Sequence, residues 1–87
     1  MTKAQLHRIS KVLADPTRYD ILTRIARQEE LACMDLRCLP IAAATLSHHI
    51  KELSQAGLIE VRRSSKFLHM KLRKKVWKDY LAALARL

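Results

Sequence analysis

The amino-acid sequence predicts a mainly α-helical fold with one small β-hairpin, in the order α-α-α-α-β-β-α. Three observations carry that expectation. Apolar residues recur at spacings of three and four along most of the chain. Alternation with a period of two is found in one place, at Ile59 and Val61 and again at Leu68, Met70 and Leu72. One Gly and two Pro among 87 residues imply short connections throughout. A chain of this length is expected to form a single domain over residues 1–87, with too little interior to enclose a sizeable substrate cavity.

Residues 2–14 read as a first helix, because Thr2 and Gln5 have capping-box spacing and Leu6, Ile9, Val12 and Leu13 form one apolar stripe. Asp15 and Pro16 restart the chain as an N-cap and first-turn pair, since proline lacks only a donor that would be orphaned there. Ile21, Leu22 and Ile25 give this second helix its buried side, and it should fade near Gln28. A short third helix is expected over residues 32–38, ending before Pro40, which disfavours helical geometry at Leu39. The fourth runs from about Ala43 to Gln55 and stops at Gly57, the only glycine. "LIEVRR" and "FLHMKLR", separated by "SSK", should pair as a hairpin. From about Lys74, Val76, Trp77, Tyr80, Leu81, Leu84 and Leu87 make a last amphipathic helix.

Charge narrows the function classes. The formal net charge is +9, from 17 Lys and Arg against 8 Asp and Glu. Arg62, Arg63, Lys66, Lys71, Arg73, Lys74, Lys75 and Lys78 crowd into one span with no acid inside it and Asp79 just beyond. Such clustering favours an acidic partner, nucleic acid or an anionic membrane surface. "KLRKK" can be read as a membrane-surface element, as a phosphate contact or as a solvated run. No apolar run is long enough to span a membrane and the N-terminus lacks a signal-peptide core, so a cytoplasmic protein is expected.

Placed on a helix, Leu46, Ile50 and Leu53 face the core with His49 at the border, while Ala44, Ser47, His48, Lys51 and Gln55 lie opposite. Small residues, a hydroxyl, an imidazole and an ammonium group suit close approach to base edges and phosphates. A short helix, a tight connection and a helix with a polar outer side make a helix-turn-helix, and the basic hairpin behind it makes a winged one. The adjacent His48 and His49 project about 100° apart on a helix, so they do not jointly grip a metal, and no third group completes a catalytic triad. No nucleophile elbow or phosphate-binding glycine loop is present either. No enzyme activity, metal or cofactor is expected.

The sequence resembles the arsenic-repressor (ArsR) family of winged helix-turn-helix transcription factors. The likeness lies in "LADPTRYDIL" at 13–22, "ATLSHHIKELSQAGLI" at 44–59 and "KFLHMKL" at 66–72, in the family's order and spacing. It implies a homodimeric repressor that binds double-stranded DNA at an operator of inverted half-sites. The DNA-contacting positions would be Ala44, Thr45, Ser47, His48, His49 and Lys51 on the fourth helix and Arg62, Arg63 and Lys66 on the wing. The first and last helices would form the dimer interface, through Leu6, Ile9, Leu13, Trp77, Tyr80, Leu81 and Leu84. The competing class is a winged-helix module that binds protein or RNA without preference among duplex sequences.

The chain departs from the family at several points. Ala42 stands where a hydroxyl residue usually caps the recognition helix, and Ser64 and Ser65 occupy a wing turn where glycine is common. The C-x-C metal site of many relatives is missing, and residues 74–87 contain no histidine for a site on the last helix. Cys33 and Cys38 remain as a thiol sensor or as ordinary core residues, and the identity of any inducer stays open. On one continuous helix their Cα atoms would stand roughly 8 Å apart, beyond disulfide reach.

Overall fold

Capping decides where the first two helices begin. In the computed structural model α1 spans Lys3–Leu13, with Thr2 Oγ1 accepting from the Gln5 backbone N–H at 3.1 Å and Gln5 Oε1 accepting from the Thr2 N–H at 2.8 Å. The second helix, α2, spans Pro16–Ala26, with Pro16 in its first turn and Asp15 Oδ1 accepting from the Arg18 N–H at 3.0 Å. Residues 1–32, 36, 39–64 and 67–87 are described. Cys33, Cys38 and Lys66 lie outside them, as does the expected third helix apart from Ala32 and Leu36.

Ala32 corrects the expected start of that helix. Leu31–Ala32 form a two-residue strand, β1, instead. The remaining elements are α3 (Ala43–Gln55), β2 (Ile59–Ser64), β3 (Phe67–Leu72) and α4 (Lys74–Ala85). Four helices and a three-stranded antiparallel sheet of order β1-β3-β2 therefore make up the described residues. The hairpin register runs from Ile59 opposite Leu72 to Ser64 opposite Phe67, and β1 sets Leu31 opposite Met70 and Ala32 opposite His69. This is the architecture of a winged helix-turn-helix, with β2 and β3 as the wing.

α3 ends in a Schellman arrangement: the Gly57 N–H donates to Ser54 C=O at 3.0 Å and the Leu58 N–H to Leu53 C=O at 3.1 Å. Gly57 has φ +80°, a left-handed conformation open to glycine without steric cost. Leu53 and Leu58, which flank that turn, are fully buried. They join Ile9, Ile21, Ile25, Leu31, Leu36, Ile59 and Met70 in one core shared by the helices and the sheet. The turn thus fixes the angle between α3 and the wing by burying its own flanks.

α4 returns across α1, where Ser10 Oγ and Tyr80 Oη share a 2.8 Å hydrogen bond. Tyr80 is 6 % exposed and Ile9 1 %. That corrects their expected place at a subunit interface, because each is spent on the core of its own chain. Leu6, Leu13, Trp77 and Leu84 are half-buried and Leu81 is 47 % exposed, so these five keep accessible surface.

Candidate nucleic-acid interface

The exposed side of α3 follows from its apolar spacing. Leu46, Ile50 and Leu53 turn inward, which leaves Ala44, Thr45, Ser47, His48 and Lys51 on the outside, all exposed. The helix begins without a side-chain cap: Ala42 has the extended cap conformation, φ −66° and ψ 148°, but no hydroxyl to accept from the first-turn N–H groups. These donors and the positive end of the helix dipole face outward, an arrangement favourable to anions.

His49 departs from the expected DNA-contacting set. It is 7 % exposed, and its Nδ1 accepts from Arg18 Nε at 3.3 Å. Arg18 also donates through Nη1 to Val12 C=O at 3.3 Å, so one guanidinium joins α1, α2 and α3. His49 is therefore turned into the fold, where it helps to hold α3 against α1 and α2. Nearby, Asp15 has its carboxyl held below the usual aspartate range, chiefly by the hydrogen bond from the Arg18 backbone N–H, with a smaller contribution from the Arg18 guanidinium charge. The ring centroids of His48 and His49 are 6.0 Å apart and tilted, one ring turned outward and the other inward. Among the described residues no three His, Cys, Asp or Glu side chains gather as a metal site.

On the wing, Arg62 and Arg63 are both exposed, but they are not equivalent. Arg62 Nη2 donates to Glu30 Oε1 at 2.6 Å, and His69 Nδ1 lies 3.2 Å from the same oxygen. Glu30, just before β1, thereby ties all three strands together and neutralises Arg62 locally. Arg63 has no carboxylate partner among the described residues. It faces an open cleft of about 450 Å³ between the wing and α3, which Ser47, Lys51 and Gln55 line from the helix and Leu68 from β3. The cleft makes the outer face of α3 and the wing one continuous surface. Glu30 and Arg18 were absent from the expected site because each acts through a partner about thirty residues away in sequence, beyond any local pattern.

Comparison with known proteins agrees with this geometry. A family model described as a helix-turn-helix domain matches residues 13–62. The arsenical resistance operon repressor of Staphylococcus xylosus is 38 % identical over 64 residues, covering 74 % of this chain and 62 % of the relative. The HTH-type transcriptional regulator YceK of Bacillus subtilis (strain 168) is 34 % identical over 76 residues, covering 84 % of this chain and 75 % of the relative. The homodimeric winged helix-turn-helix DNA-binding domain Mb0332 from Mycobacterium bovis, solved in solution, superposes with a TM-score of 0.77 at 24 % identity, over 94 % of this chain and 77 % of that one, a likeness of fold. The chain belongs to the helix-turn-helix regulators, in their ArsR-type winged form. Fold and relatives are those of transcriptional regulators, which are not enzymes. The chain spans about three fifths of the length of the S. xylosus repressor. Among the described residues no helix is long and apolar enough to cross a membrane.

Proposed function

We propose that this protein is a dimeric repressor that acts in the cytoplasm by occupying a double-stranded DNA operator with inverted half-sites. The observation that carries the reading is the outward set Thr45, Ser47, His48 and Lys51 on α3, continuous through a cleft with Arg63 of the wing. Ser47, His48 and Thr45 supply hydrogen bonds and small contacts at base edges. Lys51 and the wing arginines supply salt-dependent phosphate affinity. Arg63 carries more of that affinity than Arg62, which Glu30 already holds.

Self-association is supported by the half-exposed apolar residues of α1 and α4 and by the homodimeric state of the M. bovis domain of similar fold. A two-fold axis through these helices places two copies of α3 in successive major grooves, about 34 Å apart. Selection from a random duplex library at moderate salt tests the reading. The parent should enrich an inverted repeat with half-sites one helical turn apart. His48→Ala should shift the preferred bases, at a cost of about 1–3 kcal/mol for the original site. Absence of any sequence preference in the parent would defeat repression by operator binding.

A further inference from the structure

α3 has an open groove on each flank, and one of them faces the wing. The other, about 600 Å³, separates α3 from α1 and is lined by His7, Arg8, Lys11, Arg18, His48 and Glu52. Three permanent cations and two imidazoles stand there against one carboxylate. Elsewhere four cations are held by acids: Asp20 holds Arg24, Glu30 holds Arg62, Glu60 holds Lys71 and Asp79 holds Lys75. Among the described residues Arg8, Lys11 and Arg18 have no such partner. Arg18 is already committed inward to His49 and Val12, which makes it a wall of the groove. Arg8 and Lys11 are exposed, and Arg8 Nη2 reaches toward α3 to donate to Gln55 Oε1 at 3.4 Å.

A helix seated in the major groove, about 12 Å wide, has a sugar–phosphate strand on either side. We propose that the α1–α3 groove is a phosphate site for the DNA strand opposite the wing, with Arg8 and Lys11 as its anion-binding groups and His48 at its inner edge. The inference rests on the proposed seating of α3 in duplex DNA. It adds α1 to the footprint, so that Lys51 and Arg63 meet one strand while Arg8 and Lys11 meet the other. The sequence shows the ingredients without the site, since Lys3, His7, Arg8 and Lys11 make the first helix basic and nothing local says that a groove separates it from α3.

The test measures DNA affinity against salt concentration for the parent, Arg8→Ala, Lys11→Ala and the double variant, on the parent's selected duplex and on a scrambled one. Each groove substitution should make the slope of log K on log salt shallower by about 1, equally on both duplexes. Thermal midpoint and oligomeric state should stay at the parent's values, and Lys3→Ala, elsewhere on α1, should leave the slope alone. Slopes equal to the parent's, or an equal loss in Lys3→Ala, overturn the inference. A second arm titrates inorganic phosphate at constant ionic strength while following the imidazole resonances of His7 and His48. Phosphate that competes with DNA at the groove is the expected result, whereas saturable binding that leaves DNA affinity unchanged would show that the groove takes a free anion only, and would also overturn it. Sequence preference in the parent is read separately from slope loss in the variants, so failure of operator recognition and failure of the α1 contact are distinguishable.

Discussion

Replacing Ala42 by Ser should stabilise the protein, and the structure sets the size of the gain. Ala42 already holds the extended backbone of a cap residue, and its carbonyl accepts from the Leu46 N–H at 2.9 Å. No backbone movement is therefore needed for a hydroxyl to reach the N–H of Ala44 or Thr45. The same chain shows what such a contact looks like, at 3.1 Å for Thr2 and 3.0 Å for Asp15. A cap of this kind is worth about 1 kcal/mol over alanine. In a domain of this size that raises the thermal midpoint by about 4–8 °C. The assay is thermal unfolding followed by circular dichroism at fixed protein concentration, because self-association would make the midpoint concentration-dependent. Ala42→Asp should stabilise as much or more through the helix dipole, yet weaken DNA binding by placing a carboxylate where phosphates approach. A rise below about 1 °C in both variants would show that water satisfies the start of α3 as well as a hydroxyl does, and the capping argument would fail.

Two further predictions concern stability. Tyr80→Phe removes one partner of the Ser10–Tyr80 hydrogen bond and should cost about 1 kcal/mol in urea unfolding, with an unchanged m value; an unchanged midpoint would mean the hydroxyls contribute nothing net. Asp15 has a folded-state pKa below its unfolded one, so its stabilising contribution is complete above the ordinary aspartate range and is lost as pH falls through the lower folded value. Thermal midpoints recorded on acidification should accordingly fall less in Asp15→Asn than in the parent, and parallel profiles would refute that role.

The helices were legible because their signals are local. Capping at Thr2 and Asp15, apolar spacing in α3 and the left-handed Gly57 act within a turn or two, and α3 occupies the expected Ala43–Gln55. The hairpin was legible for the same reason, since alternation and turn sit together in sequence. β1 was not, because two residues carry no period, and Leu31 becomes a strand only through pairing with Met70, thirty-nine positions later. The site divided along the same line. Ser47, His48 and Lys51 were read from helical rotation, whereas the inward turn of His49 depends on Arg18 arriving from another helix. Ile9 and Tyr80 show the limit of an apolar stripe: it tells that a face is buried, but not whether its own chain or another copy covers it.

Among the described residues, the sheet order β1-β3-β2 leaves the outer edge of β2 without a neighbouring strand. Exposed ladder groups of that kind invite a second molecule to add itself as a further strand, and long cationic side chains are a common deterrent. Arg62 and Arg63 lie on that edge strand. Trimming both to alanine would therefore do more than weaken attraction to DNA: it would strip a guard against stacking of one wing on another, and aggregation on concentrating the protein would accompany the loss.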